Sequence, residues 1–82
     1  MTTSGIVELD LHGMNIHQAK VAIDAKLRRV GRSAYRLRLI HGYHGGTAIS
    51  DMITREYRGR AGILRIERGL NRGETDLVLR EF

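Results

Sequence analysis

The sequence predicts an α/β fold, a two-layer βαβαββ sandwich with a four-stranded mixed sheet and both helices on one face. Three observations carry this. Ile6–Leu11 and Tyr35–Ile40 alternate apolar and polar residues, as half-buried strands do. Apolar residues recur at helical spacing after each of them. The last two strand-like runs are joined by only a short glycine-bearing turn, which favours a hairpin.

In the first strand Val7, Leu9 and Leu11 share one face, and Glu8, Asp10 and His12 the other. Gly13 ends it. Asn15 with Gln18 three residues on makes a capping box. The helix then runs to about Val30 on an inner stripe of Ile16, Ala19, Ile23, Leu27 and Val30. Lys26, Arg28 and Arg29 suit the negative end of its dipole, and Gly31 supplies the stop. The second strand, 35–40, turns Arg36 and Arg38 away from Tyr35, Leu37 and Leu39. It leads through His41-Gly42-Tyr43-His44-Gly45-Gly46-Thr47 into a helix over about 48–58, with Ile49, Met52, Ile53 and Tyr57 inward. Gly59 and Gly62 bracket its exit. A third strand over 63–67 places Leu64 and Ile66 inward, and a fourth over 75–81 places Leu77 and Leu79 inward. Parallel strands covered on both faces read as continuous apolar runs, and these alternate, so one sheet face is left to solvent. Residues 1–5 read as a loose N-terminal tail and 6–82 as a single domain, with Met1 in keeping with an intact start.

A domain of 82 residues buries only about 60% of its unfolded surface, so stability should be modest. Cysteine is absent, which excludes disulfides and thiolate metal sites and suits a cytoplasmic location. No apolar run approaches a membrane span, and no signal-peptide pattern opens the chain. Fourteen lysines and arginines stand against nine acids, for a net charge of +5, and twelve of the fourteen are arginine. Arginine's planar fork matches phosphate in two-point geometry, so the balance points to nucleic acid as partner. A solvated face of cross-strand ion pairs, for instance Glu67 with a neighbouring arginine, accounts for part of it. The four aromatic residues are too few for a base-stacking platform, and Tyr43 is the one in a loop where a base could meet it.

Both strand-to-helix turns should open at the same sheet edge, where open α/β sheets bind ligands. Asp10, His12, His41 and His44 would gather there as candidates for acid–base chemistry. The amides of Gly45, Gly46 and Thr47 at a helix start would cradle phosphate, with Arg72 reaching in from the last loop and Arg36 and Arg38 lying along the backbone. No tight zinc signature is present; a weakly held Mg²⁺ or Mn²⁺ on Asp10 is the cofactor these residues would allow. His17 reads as a solvated helix residue.

Leu9-Asp10-Leu11-His12-Gly13, then Ile40-His41-Gly42, then Gly73-Glu74-Thr75 leading into an apolar strand, resemble the small MutS-related (Smr) domain family over about residues 6–82. The resemblance implies a βαβαββ sandwich similar to the C-terminal domain of translation initiation factor three. It implies nucleic-acid binding and endonuclease activity on DNA or RNA, with DNA repair as one setting. It also allows a non-catalytic module that docks on nucleic acid, a ribosome or a larger repair protein. By motif, Asp10, His12 and His41 take the catalytic positions. Gly13, Gly42, Tyr43, His44, Gly45, Gly46 and Thr47, with Arg36, Arg38 and Arg72, form the nucleic-acid surface. In the family the second motif usually runs His or Thr, Gly, any residue, Gly; here His44 stands at the fourth position.

Overall fold

A computed structural model describes residues 5–30, 34–42, 47–68 and 73–81. Its elements are β1 (Ile6–Asp10), α1 (Ile16–Val30), β2 (Arg36–Ile40), α2 (Ala48–Tyr57), β3 (Arg65–Arg68) and β4 (Glu74–Val78). The order is the βαβαββ expected. The strands lie β1-β2-β4-β3 across one sheet. β1 and β2 are parallel, and β4 runs antiparallel to both β2 and β3. The β3–β4 pair is the expected hairpin, and β3 forms an edge.

The registers lay the sheet out in rows. Val7, Leu37, Leu77 and Ile66 make one row, and Leu9, Leu39, Thr75 and Arg68 the next, both on the helix side. Leu37, Leu39 and Leu77 are fully buried there against Ala19 and Ile23 of α1 and Met52, Ile53 and Tyr57 of α2. Both helices therefore share one core on one face of the sheet. The reciprocal capping box forms at the start of α1: Gln18 N–H donates to Asn15 Oδ1 at 2.7 Å, and Asn15 N–H to Gln18 Oε1 at 3.0 Å. The helices are clasped where the Tyr57 hydroxyl donates to Asp24 Oδ1 at 2.6 Å, with Arg60 bonded to the same oxygen and lying over the ring. Burial and that carboxylate push the Tyr57 hydroxyl well above its ordinary range.

Two expectations change. Leu64, placed inward by alternation, is 58% exposed, because β3 is an edge strand with no neighbour to cover it; Ile63 before it is buried instead. The far face of the sheet is not simply open to water. Its central row is Glu8, Arg38, Asp76 and Glu67, and Asp76 is only 1% exposed. Arg36 Nη1 donates to Asp76 Oδ2 at 2.8 Å and to Glu67 Oε1 at 2.9 Å, while Arg38 Nε donates to Asp76 Oδ1 at 3.1 Å. The expected pairing of Glu67 with an arginine is therefore present, and Asp76 and Val78 are both buried on this face.

Candidate functional site

The C-terminal ends of the parallel strands carry the candidate residues. β1 delivers Asp10 and then turns at once, with Met14 N–H donating to the Leu11 carbonyl at 3.1 Å. Gly13 closes that turn at φ +81°, a conformation that costs a side chain dearly and glycine little. The turn leaves His12 and Asp10 facing solvent with their side chains 74% and 55% exposed. Asp10 Oδ1 accepts two hydrogen bonds from His12, one from the backbone N–H at 3.0 Å and one from Nδ1 at 2.6 Å. These bonds hold the Asp10 carboxyl below its ordinary value, so it stays ionised. They also place the ring proton on Nδ1 and leave Nε2 as the basic nitrogen.

A second turn meets the first. Leu11 N–H donates to the Ile40 carbonyl at 2.7 Å, extending the β1–β2 ladder to the site. Gly42 follows at φ +76°, and a Cβ built there would stand 4.0 Å from His12 Cβ. His41 and Gly42 N–H both donate to the Gly73 carbonyl, at 2.8 and 3.0 Å, so the entry to β4 is stitched to the end of β2. Gly73 has no room to grow: its Cβ would come within 3.0 Å of Gly42 Cα. Gly73→Ala should therefore lower stability by about 1–3 kcal/mol through overpacking against backbone. It should also move the Gly42 amide in a heteronuclear NMR spectrum; an unchanged melt and spectrum would refute the close approach.

His41 is turned into this junction. Its Nδ1 donates to the Gly42 carbonyl at 2.8 Å, and its Nε2 accepts from the buried Thr75 hydroxyl at 2.8 Å. Both ring nitrogens are thus engaged inside the protein, and the ring braces the turn that follows β2. Sequence alone placed His41 beside His12 but not against Thr75, because that contact depends on β4 lying next to β2. The other candidates are placed as follows. Arg36 and Arg38 have their guanidinium groups on Asp76, away from Asp10 and His12. Thr47 precedes α2, with its hydroxyl donated to Asp51 Oδ2 at 3.0 Å; an acid in the first turn already occupies the favourable field of that helix end. Tyr43, His44, Gly45, Gly46 and Arg72 lie outside the described residues, and so does Gly31. Among the described residues no three histidine, aspartate or glutamate side chains gather as a metal-ligand group. Asp10 Oδ2 is the carboxylate oxygen that a divalent cation could take.

No family model matches the sequence, and neither does a curated protein. Among solved structures, the Smr domain of Thermus thermophilus MutS2 superposes with a TM-score of 0.81 at 25% identity. The match covers 92% of this chain and 99% of that one, so neither has a large element the other lacks. The fold, with the Leu9–Gly13 motif at the mouth of β1, is similar to that of an Smr domain over nearly the whole chain.

Proposed function

We infer that the chain binds nucleic acid and cleaves its phosphodiester bonds, with His12 as general base and Asp10 as the group that orients it. The 2.6 Å contact between His12 Nδ1 and Asp10 Oδ1 is the observation that carries this reading. It sets the tautomer in which Nε2 is unprotonated and points the dyad at solvent, where a polymer can approach. In the step, Nε2 removes a proton from water, or from a ribose 2′-hydroxyl, as that oxygen attacks phosphorus. The ester oxygen opposite leaves with the bonding pair and is protonated by solvent. Gly13 and Gly42 keep side chains out of the approach, and the excess of arginine draws the polyanion in. Asp10 Oδ2 could hold a Mg²⁺ or Mn²⁺ that offsets charge on the phosphoryl oxygens.

A non-catalytic nucleic-acid-binding module is the second reading. The wide exposure of the dyad, 74% and 55%, favours it, because acid–base chemistry gains from a drier setting. One experiment separates the two. Labelled DNA and RNA oligonucleotides, single-stranded and duplex, are titrated over a salt series and then incubated with and without EDTA. Binding should weaken linearly on a logarithmic salt scale, by about 0.9 per phosphate neutralised on duplex DNA and about 0.7 on a single strand, and product should accumulate. Binding without product selects the second reading. Absence of binding even at low salt sinks both, and a ribosome- or protein-docking role then stands in their place.

A further inference from the structure

We propose that the end of the domain opposite Asp10 and His12 holds a second phosphate-binding site, an anchor for the same nucleic-acid strand. It rests on the reading of the chain as a nucleic-acid-binding domain. The site is a cavity of about 440 Å³ among the last turns of α1, the α2–β3 connection and the chain after β4. Arg28, Arg60 and Arg80 border it, with the single carboxylate of Asp24.

Two of the three arginines are held in place by the fold. Arg60 is bonded through Nη1 to Asp24 Oδ1 at 3.1 Å and stacked 4.9 Å from the centre of the Tyr57 ring. Arg80 Nε donates to the Ala34 carbonyl at 3.0 Å. Ordering them on a ligand therefore costs little side-chain entropy. Arg28 is exposed in the last turn of α1 and forms no ion pair with a described residue. It is the cation left to close on an anion.

The signs of the local charges decide what the cavity takes. Asp24 is the one carboxylate among the described residues that line the cavity, and Arg60 already pairs with it, so Arg28 brings a positive charge that Asp24 does not offset. The C-terminus of α1 opposes an anion with about half a negative charge, which leaves the cavity cationic. Leu27 and Ile63 give it an apolar wall. A sugar can lie on such a wall, whereas a bare inorganic anion gains nothing from it. A nucleotide within a strand fits this combination of fixed guanidinium forks and apolar wall.

The spacing fits one strand reaching both sites. α1 starts beside the dyad and runs back along the sheet, and its rise from Ile16 to Arg28 is about 18 Å. At about 3.4 Å of axis per nucleotide in a helical strand, that is about five nucleotides. A strand seated at the anchor would present a phosphodiester about five positions away to His12.

The test uses the full chain, isotopically labelled, with a 12-nucleotide single strand, a 3-nucleotide fragment and inorganic tripolyphosphate as probes. The 12-mer should shift the amides of Arg28, Ala61, Gly62 and Ile63 together with those of Asp10, His12 and Gly13. The two short probes should shift the cavity amides at higher concentration. Arg28→Gln should weaken 12-mer binding about three- to tenfold at low salt and make the logarithmic salt slope shallower by about one. If the 12-mer binds at the dyad while the cavity amides stay still and Arg28→Gln changes neither affinity nor slope, the anchor is overturned and nucleic-acid binding stands. If no oligonucleotide binds, the functional reading fails and takes the anchor with it. Because the wild-type amide shifts need no variant, a misfolded substitution cannot hide the outcome.

Discussion

His12→Ala is expected to lower the cleavage rate by about 10²–10⁴-fold, the usual contribution of a positioned general base, while changing binding of the same oligonucleotide by less than about threefold, since a general base acts on the attacking oxygen and not on the phosphate charge. The ring is 74% exposed and packs on nothing it must support, so its loss should leave the fold intact. Asp10→Asn tests the second half of the dyad. The amide can still accept the Nδ1 hydrogen bond, but it loses the charge that stabilises the imidazolium formed when Nε2 takes a proton. Solvent screens an exposed pair, so the expected loss is smaller, about tenfold. A single-turnover assay with saturating enzyme separates these effects from binding. Equal rates for both variants and the wild type would remove the dyad from the mechanism.

The pH dependence carries a sign that follows from the same contact. The hydrogen bonds from His12 depress the Asp10 carboxyl below its usual 3.8. A depressed carboxylate makes its contact fully above the ordinary value and loses it as pH falls through the depressed one. The dyad therefore stays assembled throughout the mildly acidic range. Loss of activity through protonation of Asp10 is therefore expected only as pH falls below that ordinary value.

Much of this arrangement was legible because it is local. Alternation in Ile6–Leu11, the Asn15–Gln18 spacing and the glycine after His12 each specify a strand, a cap and a turn within a few residues, and each is found. What escaped depends on strands far apart in sequence. Asp76 alternates with Leu77 as a solvent-facing residue would; it is buried because β4 lies between β2 and β3, which brings Arg36, Arg38 and Glu67 over it. The same central position of β4 brings Thr75 to His41, a contact that alternation along β2 alone does not show. Leu64 shows the converse: alternation placed it inward, yet it precedes the edge strand β3 and is 58% exposed, while Ile63 takes the core position.

Asp76→Ala should give the largest stability loss in the domain outside its apolar core, about 2–3 kcal/mol. Asp76 is 1% exposed and accepts from Arg36 Nη1 at 2.8 Å and from Arg38 Nε and Nη2 at 3.1 and 3.2 Å. Removing it leaves two guanidinium groups side by side without the anion between them. Breaking a fully buried pair costs about 3–5 kcal/mol. The arginine side chains here keep 22% and 29% of their exposure, and Glu67 and Glu74 remain nearby, which brings the figure down. For a domain of this size the midpoint of thermal unfolding should fall by about 8–24 °C. Asp76→Asn, which keeps an acceptor of the same shape, should lose about half as much free energy as the alanine variant. Replacing Arg36, Arg38 and Asp76 together by apolar residues of similar volume should recover most of the loss, because the cost lies in the uncompensated cations and not in the missing pair. Asp76→Ala also releases Arg36 and Arg38 onto an exposed sheet face, so its folded fraction should bind nucleic acid more tightly at low salt than the wild type does. A urea melt within about 0.5 kcal/mol of wild type, within the range of ordinary surface substitutions, would show that these arginines are not held by Asp76. They would then be available to phosphate in the native domain.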